Sequence, residues 1–293
     1  MNNRHRIAVL LYALLLHVPT VFAEHYVNGV EGLKAASVPP AGFYYRLYNV
    51  FYNADSLMDG SSNELPVDFD VSVYAMANRF IWITEQKILG ADYGMNVILP
   101  LINTDISIGA LGVDDSDFAL GDVLLEPIIL SWHESAFDAV TAAGVYIPSG
   151  NYDVNQPASA SKGYWTGLLT AGVTYYADPE KTWSASILSR YEFHGKQDDT
   201  NITAGDDFHF EWGVGKTIEG WDVGLVGYNQ WQVTEDSGEG ASTTKDRIGA
   251  IGAEVGTFIP SLKTAISFRA LQEYQAKDRS EGSLITLTLT KIF

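Results

Sequence analysis

After residue 24 the apolar positions recur every second residue, and a 3.6-residue period is hard to find. In the last segment Ile285, Leu287, Leu289 and Phe293 fall on one face, and Thr286, Thr288 and Thr290 on the other. Tyr93, Met95, Val97, Leu99 and Leu101 alternate with Gly94, Asn96 and Ile98. Phe208, Phe210, Trp212 and Val214 alternate with His209, Glu211, Gly213 and Gly215. Large apolar side chains backed by glycine and polar residues suit a wall with lipid on one side and a wet or packed polar space on the other. The pattern predicts twelve strands, at 42–53, 67–83, 91–103, 117–132, 137–147, 164–176, 183–193, 207–216, 221–233, 246–257, 263–274 and 283–293. The predicted class is all-β, a transmembrane antiparallel up-and-down β-barrel of about twelve strands. Ten or fourteen strands follow if a hairpin has been split or merged.

The connections carry separate information. Longer polar ones, at 54–66, 103–117, 148–163, 194–206, 234–245 and 275–282, alternate with tight ones at 84–90, 133–136, 177–182, 217–220 and 258–262. A barrel with both chain ends on the periplasmic side sorts its loops this way, short turns inside and long loops outside. About 270 mature residues over twelve strands leave about 22 per strand and connection, enough for a spanning strand of roughly 9–11 residues with its loop. Aromatic residues flank several strands: Phe43, Tyr44 and Tyr45, Phe51 and Tyr52, Phe80 and Trp82, Tyr164 and Trp165, Trp221 and Trp231. Amphipathic rings favour the headgroup level, so these fit the two girdles of a barrel. Lys291 departs from the apolar face of the last strand, where its stem can reach along the wall to the interface.

The first segment reads as a targeting signal. Arg4 and Arg6 precede the apolar run Ile7–Leu16, and Val21-Phe22-Ala23 offers small residues at a cleavage site, predicting residues 1–23 as a secretory signal peptide. Loss of Arg4 and Arg6 takes the formal charge from −18 to −20. Such an acidic chain repels phosphate backbones, which argues against a nucleic-acid partner. With no cysteine, disulfide frameworks and thiolate metal sites are excluded. Residues 24–41 have no period and read as a periplasmic tail or a plug in the lumen, followed by the barrel at 42–293.

The order and spacing of several short segments resemble one family. They are His25-Tyr26, Gly29, Glu31-Gly32, Val38-Pro39-Pro40-Ala41-Gly42-Phe43-Tyr44, Lys87 to Gly94, Pro100-Leu101, Gly121-Asp122, Glu126-Pro127, Leu130-Ser131-Trp132-His133, Pro148-x-Gly150-x-Tyr152, Gly205-Asp206-x-x-His209-x-Glu211 and Gly224-x-x-Gly227-Tyr228-x-Gln230. Together they are similar to the bacterial outer-membrane family of transporter-like barrels associated with the meta-pathway of phenol degradation. The resemblance covers essentially the whole chain after the signal. It implies a channel for passive uptake of small hydrophobic or aromatic solutes, in a barrel placed in the bacterial outer membrane by the barrel-assembly machinery. The terminal Phe293 resembles the assembly signal of such barrels.

An Arg or Lys facing lipid at mid-membrane costs about 2–4 kcal/mol, so charges on alternating strands should face the lumen. The inward candidates are Tyr44, Arg46, Tyr48, Asp122, Glu126, Arg190, His209, Glu211, Gln230 and Arg269, with Val123, Leu125 and Ile129 on the opposite face from Asp122 and Glu126. They form either a network that stiffens a narrow barrel or a lining that selects solutes; in a narrow barrel, permeation then needs a side route or loop motion. Asp114, Asp115 and Asp117 lie in a predicted outer loop, where they are candidates for Ca²⁺ or Mg²⁺ bridging to lipopolysaccharide, without the spacing of a dedicated site. No hydrolase, metalloprotease or P-loop motif is present, and no cofactor is implied. His209 with Ser186 or Ser189 on a neighbouring strand is the one pairing that would suit a lipid hydrolase. A structural or adhesive barrel with a sealed lumen is the principal alternative to a channel.

Overall fold

In the computed structural model, which describes residues 24–293, alternation becomes wall. The predicted signal peptide lies outside the described residues. Thirteen antiparallel strands form one sheet. They are β1 (Gly42–Leu57), β2 (Phe69–Ile88), β3 (Ala91–Ile108), β4 (Val113–Leu120), β5 (Val123–His133), β6 (Phe137–Ile147), β7 (Thr166–Tyr176), β8 (Trp183–His194), β9 (Asp207–Ile218), β10 (Trp221–Gln232), β11 (Arg247–Ile259), β12 (Thr264–Lys277) and β13 (Ser280–Ile292). Sequence neighbours pair throughout except β4 and β5, which both pair with β3, and β1 pairs with β13 from Tyr44↔Ile292 to Leu57↔Ser280, which closes a twelve-stranded barrel. Closure leaves those strands no free edge, as a lipid environment requires.

The thirteenth strand, β4, arises from a break that the alternation did not predict. The expected strand 117–132 is two strands, β4 and β5, lying end to end along β3. The first part of β3 pairs with β5, from Asp92↔Ser131 to Ile98↔Leu124. Its second part pairs with β4, from Leu101↔Leu120 to Ile108↔Val113. Between them Pro100 accepts a hydrogen bond from Gly121 N at 2.9 Å but has no N–H to return, so the ladder lapses there. β6 follows β5 only as far as Val123↔Ile147, so the far edge of β4 has no strand neighbour. Residues 148–163 cover it instead, with Asn151 N donating to Leu120 O and Ala158 N to Asp115.

Other expectations are corrected in the same region. A bulge between Leu125 and Ile128, centred on Pro127, reverses the parity of β5 and turns Ile129 inward, although Leu125 stays outside. The segment 103–117, expected as a loop, is a tall β3–β4 hairpin, and 275–282 is mostly β12 and β13 joined by a tight turn. Asp114, Asp115 and Asp117 therefore lie on a strand and alternate in direction. Asp115 and Asp117 hold Ala158 N and Asn151 Nδ2, and the three do not converge on a point.

The outer face carries Phe43, Trp82, Trp183 and Trp221 toward the rim where Gly42 and Phe293 lie, and Trp165, Phe193 and Trp231 toward the opposite rim. Leu125, Leu169, Leu225, Ile251 and Phe268 are exposed between them, an arrangement suited to an apolar band bounded by aromatic girdles. Lys291 Nζ reaches Leu262 O at the rim. Inside, toward the rim away from the termini, the β1–β3 side is apolar, with Val50, Tyr52, Leu57, Phe69, Val71, Ile106 and Ile108 in one cluster, whereas the β8–β13 side carries buried Glu192, His194, Asp207, Gln232 and Arg279. The middle is polar and charged, and the N-terminal segment lies there.

Candidate functional site: the segment seated inside the barrel

Residues 24–38 run through the barrel interior, bonded to inward side chains from most of the wall. Glu24 Oε1 accepts from Arg279 Nη2 at 2.9 Å. His25 N and Tyr26 N donate to the two oxygens of Glu192, at 2.9 and 3.0 Å. The Tyr26 hydroxyl donates to Glu211, and the Arg190 guanidinium sits 3.7 Å from the Tyr26 ring centre. Asn28 contacts Gln230, and Val30 O accepts from Arg269 Nη1 at 2.6 Å. Leu33 N donates to Glu254, Lys34 pairs with Asp222 at 2.8 Å, and Ser37 meets the Tyr176 hydroxyl.

Glu31 is the hub. Its carboxylate accepts from Arg46 at 3.0 Å, from Arg79 at 2.9 Å and from the Tyr48 hydroxyl at 3.1 Å, with Arg190 at 3.7 Å. Its own N–H donates to Glu211. These partners come from β1, β2, β8 and β9, and Arg269 of β12 holds the neighbouring Val30, so the cluster spans the barrel. Burial alone would raise the Glu31 carboxyl, but the Arg46, Arg79 and Arg190 guanidiniums override it and hold the group at about 2. Glu24 is likewise lowered against its burial by Arg279. Burial lowers both His25 and Lys162.

Glycine makes the room. Gly29 and Gly32 have φ of +83° and +64°, and a Cβ at Gly32 would strike Glu254 and Arg269. On the wall, a Cβ at Gly213 would lie 2.9 Å from Gly32 O, and one at Gly172 3.1 Å from the Ala36 Cβ. The inward glycines of β9, Gly213 and Gly215, thus give space to the segment, whereas Gly172 of β7 first makes room for Leu188 of β8.

All ten predicted inward side chains point to the interior. Arg46, Tyr48, Arg190 and Glu211 meet at Glu31 or Tyr26; Gln230 and Arg269 touch Asn28 and Val30. Glu126 joins through Arg79 and Asn96, and His209 bonds Glu192 at 3.2 Å. The Tyr44 hydroxyl donates to Pro40 O. Asp122, at the wall break, accepts from His25, Gly150 N, Ser161 and Lys162 N, so it ties the segment and the covering loop to one point. The Ser–His pairing is not assembled: Ser189 lies opposite the outward Phe210, Ser186 opposite Gly213, and His209 opposite Arg190.

A family model described as "Putative MetA-pathway of phenol degradation" matches residues 54–289. The chain belongs to this family. The fold of this family member is similar to that of the COG4313 outer membrane channel from Pseudomonas putida F1, at 13% identity and TM-score 0.79, covering 92% of this chain and 100% of that one. It also resembles the transport unit of the autotransporter AIDA-I from Escherichia coli, at 10% identity and TM-score 0.51, over 96% and 97% of the two chains. No curated protein matches the sequence. The family model covers most of the barrel, and the segment that fills the barrel precedes the matched residues.

Sequence reasoning missed Arg79, Glu192, Glu254 and Arg279. Arg79 and Glu254 were recoverable, because each alternates with outward apolar neighbours, Phe80 and Val255. Arg279 lies in the turn between β12 and β13, where alternation gives no direction.

Proposed function

We propose that this protein is an outer-membrane channel for passive uptake of small hydrophobic or aromatic compounds, kept closed by residues 24–38. The carrying observation is where the filling comes from. A sealed structural barrel fills its interior with side chains of its own strands. Here the strands leave space for a separate segment, seated by ion pairs and hydrogen bonds, and glycines on the wall widen that space. Removing the segment leaves a lumen ringed by Arg46, Arg79, Arg190, Glu211 and Arg269. Outer-membrane placement is supported by the apolar outer band, the aromatic girdles and the likeness to an outer membrane channel.

An apolar solute gains little from a charged ring, so its route matters. The apolar inner face of β1–β3 offers a favourable entry, and the break at Gly121–Asp122 lies beside it, next to Pro100, Ile102 and Ala160. Asp122 would then latch a side exit toward the bilayer as well as the segment. The test is conductance in planar bilayers and uptake of an aromatic probe into liposomes, for the full chain and for a variant lacking residues 24–37. The deletion should raise both. A deletion variant that folds, shown by heat-modifiable migration, yet neither conducts nor takes up the probe would favour the sealed structural barrel.

A further inference from the structure

His25 and His194 engage all four ring nitrogens, and with both imidazoles neutral and both aspartates ionised the pattern is one hydrogen short. His25 Nε2 faces Asp122 Oδ2 at 2.9 Å, and His194 Nε2 faces Asp207 Oδ2 at 3.1 Å. Both Nδ1 atoms converge on Thr166 Oγ1, 2.8 Å from each. The series Asp122–His25–Thr166–His194–Asp207 contains four hydrogen-bonded contacts, but two neutral imidazoles and one hydroxyl supply only three hydrogens. With each Nε2–H given to its carboxylate, two Nδ1 lone pairs aim at a hydroxyl that satisfies one of them. Glu192 stands beside them, and the ligand atoms of His25, His194 and Glu192 lie within 4.8 Å of one another. A histidine whose one nitrogen is fixed by a carboxylate, with its other nitrogen aimed at a point shared with a second imidazole, has the orientation of a metal ligand. Asp122, Glu192 and Asp207 also place three carboxylates around the imidazoles, with the Lys162 ammonium as a nearby cation, so a dication offsets local negative charge.

We propose that His25 Nδ1, His194 Nδ1 and a Glu192 oxygen bind one divalent first-row transition ion of the zinc type. Two imidazoles and one carboxylate are a suitable set for such an ion, with a water at the fourth position. A tetrahedral site with bonds near 2.1 Å has ligand separations of about 3.4 Å, so the side chains draw in by roughly 1 Å on binding. His25 belongs to the seated segment and His194 to β8, so the ion staples the segment to the wall. The site stands independently of the transport reading, since a sealed barrel could carry it equally.

Untagged full-length protein in detergent is stripped with chelator, then titrated with Zn²⁺ by equilibrium dialysis with elemental analysis. One zinc per chain is expected. His25→Ala and His194→Ala should each weaken binding by about a hundredfold or more, whereas His133→Ala, on the surface, should leave it unchanged. Thr166→Val breaks a hydrogen-bonded relay but removes neither imidazole nor carboxylate, and it should keep at least a tenth of the affinity. Absence of zinc binding by the folded full-length chain would overturn the site. So would equal binding by the His25→Ala/His194→Ala double variant. Loss of binding in Thr166→Val would show that the hydroxyl, and not the two imidazoles with the carboxylate, makes the site, and would likewise overturn it.

Discussion

Substituting Glu31→Gln tests the seating of the segment at its most connected point. The carboxylate serves Arg46 at 3.0 Å and Arg79 at 2.9 Å and lies 3.7 Å from Arg190. Glutamine keeps an acceptor oxygen but turns an amide N–H₂ toward one guanidinium and removes the charge. Arg79 then keeps Glu126 and Arg190 keeps Glu211, while half-buried Arg46 has no further carboxylate among the described ion pairs. Breaking a buried ion pair by removing one partner costs about 3–5 kcal/mol. At about 1.4 kcal/mol per tenfold, the equilibrium between seated and released segment shifts by roughly two to three and a half powers of ten. The barrel should still form, because Glu31 takes no part in the strand ladders and the chain closes through β1 and β13. Single-channel recording reads the effect as a rise in open probability toward that of the variant lacking 24–37. If Glu31→Gln folds and its open probability stays within twofold of the full chain, while the deletion variant conducts freely, the ion pairs do not hold the segment and the argument from them fails.

Acid should act in the same direction. Glu31 is depressed from 4.5 to about 2, so the stability it lends the seated state is complete above about pH 4.5 and is lost as pH falls toward 2, roughly 3 kcal/mol in total; conductance at pH 3 should exceed that at pH 7, and an unchanged or lower value would count against it. Gly213→Val places a branched side chain against the Gly32 backbone while the strand keeps its pairing, so it should expel the segment and raise conductance without loss of the folded barrel in gel-shift assays. Asp122→Ala removes the acceptor shared by His25, Gly150, Ser161 and Lys162, and should make residues 148–163 cleavable by protease within minutes where the parent resists. Because the chain has no cysteine, an Ala36→Cys/Gly172→Cys pair is readable directly: the Cβ positions are about 3.1 Å apart, a few tenths short of disulfide geometry, Leu188 and the adjoining β8 backbone must shift to admit the new side chain, and oxidation should hold conductance at its floor until reductant is added.

Alternation in the sequence determined the wall. Which residues of β1, β8, β9, β10, β12 and β13 face inward follows from a period of two, because successive side chains on a strand take opposite sides and lipid tolerates few charges. For that reason Arg46, Arg190, His209, Glu211, Gln230 and Arg269 were legible one strand at a time. The same reasoning went astray at Ile129, where the bulge beside Pro127 adds one residue and reverses the face, and at Gly121–Asp122, where Pro100 on a different strand withholds the hydrogen bond that would have kept 117–132 whole.

Only the tertiary structure decided what occupies the interior. Residues 24–38 have no period to read, and their partners lie far along the chain: Glu192 for His25, Glu211 for Tyr26, Glu254 for Leu33 and Arg279 for Glu24. A strand's pattern tells each side chain which way to point, but not which opposite group it meets once the sheet has curled round, nor whether a passing segment stands between them. That choice depends on the diameter and register of the closed barrel, and these exist only when β1 has paired with β13.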